Sequence, residues 1–272
     1  MYSMGETSEF VSKKAIAEFF GLPRWITSIL MQTMKINKLN RFVASLRPYG
    51  GTVEMLQKAL AALNITEHFD ISWIDELRGK PYITIANHAW GLLDGISFTS
   101  HIGTKTPRYR ITANYLLSSI NSVQDFMIPV NPFEHKANKK DKKLGGTQRS
   151  LDWIAEGGSV GLFPAGEVAT KYKGSDEITD CEWKTSSFRL IRLAQIPVVP
   201  IYIDGTNSKW FHFLGKIAPL LRTYRLVKEL FNKKNMEIFI KPGKIVYPNE
   251  YLKYETDEQL RDFFRNEVFK LK

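Results

Sequence analysis

The chain opens with apolar residues at helical spacing: Phe10, Ile16, Phe19 and Phe20 stand among Lys13, Lys14 and Glu18. Pro23 interrupts the pattern, and Trp25, Ile26, Ile29, Leu30 and Met34 resume it before Lys35, Lys38 and Arg41. This recurrence predicts amphipathic helix over residues 9–47, broken where proline lacks a backbone N–H. A Phe/Trp/Leu face bordered by basic residues fits a helix lying in a membrane interface. It equally fits a helical pair packed against a domain. Pro48-Tyr49-Gly50-Gly51 is a turn signal, dividing the chain into an N-terminal amphipathic helical arm, 1–50, and a domain, 51–272.

Past this boundary a helical pattern over Val53 to Leu63 gives way to short apolar, β-prone runs. Strands are expected at 81–86, 108–113, 125–130, 159–163, 197–203 and 236–241, with helices near 114–122, 146–156, 184–195 and 218–232. Such alternation predicts an α/β fold, a largely parallel β-sheet flanked by helices and wound with right-handed crossovers. Thr256 and Gln259 form a capping-box signature ahead of Leu260, Phe263, Phe264 and Val268, so a final amphipathic helix is expected.

Composition narrows the class. A chain of 272 residues with 43% hydrophobic content is long enough to bury a sizeable core. The single cysteine, Cys181, allows no internal disulfide and reads as an inert thiol between Asp180 and Glu182. A net charge of +10 favours a polyanionic partner. Nucleic acid and an anionic membrane surface both qualify. Aromatic residues are not regularly interleaved with the lysines, so a stacking platform for single-stranded nucleic acid is poorly supported and no nucleic-acid partner is expected. Met1 to Glu9 is polar, without the look of a secretory signal. No apolar run approaches the roughly 20 residues of a spanning helix, so no transmembrane helix is expected. His68, His88, His101, His135 and His212 are scattered, and no phosphate-loop pattern occurs. No metal and no cofactor are therefore expected.

Candidate chemistry gathers in Asn87-His88-Ala89-Trp90-Gly91-Leu92-Leu93-Asp94-Gly95. The strand before it delivers His88 to its carboxyl end, where open α/β sheets bind ligands. If Asp94 turns back on the imidazole, its carboxylate makes His88 a tuned general base. A strand-end histidine that merely caps a turn is the competing reading. A second block, Phe163-Pro164-Ala165-Gly166-Glu167, leaves another strand at the same sheet edge. It is either a ligand-facing turn or a routine one. Gly157-Gly158-Ser159-Val160-Gly161 fits the pattern of a lipase elbow, but that elbow needs strand before helix. Here the helix-like Ser150 to Glu156 comes first, so the glycines read as its left-handed cap. Lys136, Lys139, Lys140, Lys142, Lys143 and Arg149 form a basic loop, either solvated or a dock for anionic partners.

The two blocks, followed by Val198-Val199-Pro200-Ile201, resemble in order and spacing the glycerolipid (lysophosphatidic-acid-type) acyltransferase superfamily. The look is nearest to its bacterial branch with five residues between His and Asp, which finishes ornithine- and glycine-type aminolipids. The resemblance implies an O-acyltransferase with His88 and Asp94 catalytic and Asn87, Phe163, Pro164, Ala165, Gly166 and Glu167 at the substrate. It implies acyl carrier protein or acyl-CoA as donor and a lyso-lipid as acceptor. A peripheral enzyme at the cytoplasmic side of the inner membrane is expected. The usual F-P-E-G-T-R block is altered, with Ala165, Glu167 and Val168 in place of its glutamate, threonine and arginine. Losing that guanidinium points from lysophosphatidic acid toward a lyso-aminolipid, because arginine reads phosphate bidentately. A carboxylate at Glu167 suits a neutral or zwitterionic head. The alternatives are 1-acylglycerol-3-phosphate as acceptor, a serine lipid hydrolase built on Ser159, or a non-enzymatic basic lipid-binding protein.

Overall fold

The computed structural model describes residues 11–21, 23–46, 51–114, 126–130, 145–172, 177–217 and 219–272. The lysines at 136–143, residues 48–50 of the expected turn, and all but the first residue of the helix expected at 114–122 lie outside the described residues. A seven-stranded sheet forms the centre, in the order β1 (Thr66–Phe69), β9 (Glu237–Pro242), β8 (Val198–Ile203), β2 (Ile83–Ala86), β5 (Ser159–Leu162), β3 (Tyr109–Asn114) and β4 (Met127–Val130). The five strands from β8 to β4 are mutually parallel. β9 joins β8 antiparallel and carries β1 parallel to itself, so the sheet is mixed at one edge. All six expected strands are present within a residue or two. β1 was not anticipated, nor was the two-residue hairpin of β6 (Thr170–Lys171) and β7 (Ile178–Thr179).

Successive residues of a strand face opposite sides, and here the two sides pack separate cores. Val199, Ile201 and Ile203 join one core with Tyr82 and Ala86, while Val198 and Tyr202 join the other with Ile83 and Ile85. Both faces of the central strands are covered, which is why those strands read as continuous apolar runs. The first core includes the arm. Helices α1 (Lys13–Phe20), α2 (Arg24–Thr33) and α3 (Ile36–Leu46) bring Ile16, Met31, Met34, Ile36, Leu39 and Val43 into it, beside α4 (Thr52–Ala62). Trp25 and Ile29, one turn apart on α2, stay 70% and 59% exposed. The arm is thus packed on one face and apolar on another.

The second core is closed by α6 (Gly146–Ala155), α7 (Thr185–Ala194), α10 (Pro248–Tyr251) and α11 (Asp257–Phe269). The cap expected before α11 forms: Thr256 accepts from the Gln259 N–H, and the Gln259 side chain accepts from the Thr256 N–H. α6 ends as anticipated, with Gly157 at φ +85° and bonds from Gly157 N–H to Ile154 O and Gly158 N–H to Trp153 O. That pair of bonds satisfies the last carbonyls of the helix. Among the described residues no helix is long and apolar enough to cross a membrane.

Chain direction sets the position of the cleft. From β2 the chain leaves toward β3, whereas from β5 it leaves toward β8 on the other side. The carboxyl ends of β2 and β5 therefore flank a topological switch point, where the crossing helices leave a crevice. Both candidate blocks emerge there.

Candidate active site

His88 follows β2, and its Nδ1 lies 2.7 Å from Asp94 Oδ2. Asp94 sits in the first turn of α5 (Leu92–Lys105), where the helix dipole favours a negative charge. Its side chain has no exposure and also accepts from the N–H groups of Trp90, at 2.9 Å, and Gly91, at 3.0 Å. Those bonds fix the carboxylate before the imidazole meets it. With Nδ1–H donating to Asp94, the lone pair of neutral His88 is on Nε2, and the ring keeps 19% exposure. Gly91 turns the chain between them at φ +85°, and a Cβ there would stand 2.9 Å from Leu226 and 3.0 Å from Val168.

Three further contacts hold the block. Phe163 stacks on the His88 ring with centroids 4.7 Å apart, so the second block buttresses the first. Asp180, after β7, accepts the His88 backbone N–H at 3.1 Å and the Trp183 indole N–H at 2.8 Å. Burial raises the carboxyl pKa of Asp180, against the pull of these two donors. Asn87 is buried, and its amide exchanges two hydrogen bonds with the backbone of Ile203, at 2.9 and 2.7 Å. Expected at the substrate, Asn87 instead acts as an extra rung between β2 and β8.

Behind the block lies a charged cluster. Glu229, with no exposure, accepts from Ser208, Arg225 and Lys233 on and near α9 (Pro219–Asn232). Lys233 also donates to Asn207, whose amide reaches Ala89 O at 3.4 Å, and its ammonium lies 4.5 Å from the Trp90 ring centre. Sequence reading missed this cluster. Its signals were the Arg225–Glu229 and Glu229–Lys233 spacings of four.

The second block forms a tight turn, with Gly166 N–H donating to Phe163 O and Gly166 at φ +67°. Pro164 and Ala165 are buried, and the Ala165 carbonyl accepts from the Cys181 thiol. Glu167, expected as a carboxylate open to the acceptor head, is already engaged. Arg222 Nη2 lies 2.6 Å from its Oε2, and the Tyr172 hydroxyl donates to its Oε1. A guanidinium thus meets the block from α9, 55 positions away.

Comparisons with known proteins span both blocks. The family model described as Acyltransferase matches residues 53–204, more than half of the chain. The chain belongs to the acyltransferase family. The enzyme is 24% identical to a lyso-glycine lipid O-acyltransferase of Phocaeicola vulgatus, over 98% of this chain and 94% of that one. It is 22% identical to a protein of the same name from Bacteroides thetaiotaomicron, over 98% and 97%. The crystal structure of the 1-acyl-sn-glycerophosphate (LPA) acyltransferase PlsC of Thermotoga maritima aligns with 95% of this chain and 91% of its own. Identity is 13% and the TM-score 0.45.

Two potential nucleophiles of this acyltransferase lie in the wrong state or place. Burial pushes the Cys181 thiol up to about 12, so it stays protonated near neutral pH. Ser159 is the first residue of β5, at the opposite end of that strand from Phe163. It is buried, and its hydroxyl accepts the Tyr82 N–H.

Proposed function

We propose that this acyltransferase moves a fatty acyl group from an acyl thioester to the hydroxyl of a lyso-lipid, specifically a lyso-aminolipid of the glycine type. The observation that carries the reading is the His88–Asp94 pair with Nε2 left to meet a ligand. In the mechanism His88 Nε2 takes the acceptor hydroxyl proton while that oxygen attacks the thioester carbonyl. Asp94 holds the ring and stabilises the imidazolium that forms. Collapse of the tetrahedral intermediate breaks the C–S bond, and the proton passes from His88 to the departing thiolate. Direct attack suffices once both substrates are aligned, and the states of Cys181 and Ser159 favour it over an acyl-enzyme. The N–H groups of Trp90 and Gly91 already serve Asp94, so oxyanion donors are better sought near the 163–167 turn.

The donor is acyl carrier protein or acyl-CoA, both anionic and suited to the net charge of +10. The enzyme works as a peripheral protein on an anionic membrane, at the cytoplasmic face. Trp25 and Ile29 on α2 support this. So do Trp210, Phe213 and Ile217, exposed along one side of α8 (Lys209–Ile217) with Lys209 and Lys216 among them. The glycine-type acceptor is supported by the two relatives of that name.

The test incubates the full chain with an acyl thioester and a lyso-glycine lipid in vesicles. Equal release of free thiol and diacylated lipid is expected, and none with His88→Ala. Free fatty acid in place of diacylated lipid would revive a hydrolase. A higher kcat/KM with lysophosphatidic acid would overturn the acceptor.

A further inference from the structure

The Glu167–Arg222 bridge lies at one margin of the cleft. Arg222 is one helical turn from Leu226, which packs over Gly91 of the histidine block. The Arg222 side chain is only 7% exposed, whereas Glu167 is 41% exposed. The cation is held by the fold, and its carboxylate partner, which also accepts from the Tyr172 hydroxyl, is the more exposed member of the pair. A second cation borders the same turn: a Cβ on Gly166 would stand 2.7 Å from the Lys184 ammonium. Arg222 and Lys184 set two cations against the one carboxylate of Glu167 at this turn, which suits an anionic head.

We infer that the Arg222 guanidinium, with Lys184 beside it, receives a carboxylate on the acceptor head, and that Glu167 holds this place until the acceptor displaces it. This rests on the lyso-lipid acyltransferase reading above. Glycine joined to a fatty acid through its amine presents such a carboxylate; joined through its carboxyl it presents an ammonium, which Glu167 would receive instead. A planar guanidinium pairs with a carboxylate in a fixed geometry and strengthens in a partly desolvated site. Arg222 is therefore assigned as a specificity-determining residue of the acceptor pocket.

Substitutions at the two ends of the bridge give opposite results if the inference holds. Binding of an N-acylated glycine bearing a hydroxylated chain is measured by calorimetry in micelles, against its methyl ester and its O-linked isomer with a free amine. The wild-type chain should prefer the free carboxylate by about tenfold or more, the usual scale of a charge-assisted hydrogen bond. Arg222→Met should erase that preference, and Arg222→Lys should restore part of it. Glu167→Gln should increase it, by removing the competing carboxylate. A bridge that serves folding alone would make Arg222→Met and Glu167→Gln lose binding equally, and equal losses would overturn the inference. So would equal binding of acid and methyl ester, or preference for the free amine. Because binding is read without turnover, a chain that binds the carboxylate selectively but transfers no acyl group refutes only the activity proposed above.

Discussion

The two loops that leave β2 and β5 lie side by side but are built in different ways. The histidine loop closes on itself: the carboxylate that orients His88 is six residues away and draws its other donors from Trp90 and Gly91. The second loop supplies a turn and little else. Its charged partners, Arg222 and Lys184, come from other helices or the segments before them. In the proposed mechanism, acid–base chemistry is a local property of the chain, whereas head-group recognition depends on the tertiary fold. A substitution in the first loop should therefore strike rate, and one around the second should strike selectivity.

The largest effect is expected from His88→Ala. Removing a general base should lower turnover by about 10²–10⁴-fold while thermal stability and vesicle binding hold. Near-full activity in this variant would refute the mechanism. Asp94→Asn should follow closely, because an amide cannot stabilise the imidazolium and turns one N–H toward a ring or backbone donor. Its kcat should fall far more than its KM rises, as read in steady-state assays. Asp180→Asn tests the support behind the histidine. An amide has one oxygen where the carboxylate gives two, so either the His88 N–H or the Trp183 indole loses its acceptor. A loss of about 1–3 kcal/mol in urea unfolding is expected, with a roughly tenfold or greater fall in kcat from the displaced ring. An unchanged kcat would make Asp180 purely structural. The smallest effect on turnover belongs to Ser159→Ala. Activity per folded molecule should be kept, and stability should fall by about 1 kcal/mol because the Tyr82 N–H loses its acceptor. Total loss of activity in a folded Ser159→Ala chain would restore the hydrolase reading.

Sequence and structure part company along the same line. Every strand buried on both faces was legible, because an apolar run such as Pro197 to Ile203 fits a doubly covered strand and little else. β1 was missed because Thr66, Glu67, His68 and Phe69 alternate in exposure at a sheet edge and carry no apolar run. The dyad was legible since both members lie in one short stretch. Asp180 was not, because nothing in the residues around it signals a bond to a backbone N–H 92 positions earlier. Arg222 was hidden for the same reason. That the 163–168 block lacks an arginine was visible, but the contact of Arg222 with Glu167 from α9 required the fold. The order of helix and strand around Ser159 was also readable, and it matters because the hydroxyl of a nucleophile elbow must follow its strand.

The extra rung that Asn87 makes with Ile203 also bears on how the enzyme is born. A ribosome delivers the His88–Asp94 loop early, but the groups that lock it, Asp180, Ile203 and Lys233, emerge roughly 90 to 145 residues later. β1, made still earlier, waits for β9, its neighbour in the sheet. Contacts of such long sequence separation form late, because loop closure must precede any reward from pairing. A nascent or truncated chain therefore carries its catalytic letters without a working site. Under the proposed activity, acyl transfer is withheld from incomplete molecules by topology alone, and a series of chains stopped between Ile203 and Lys272 should gain activity only when both β9 and α11 are whole.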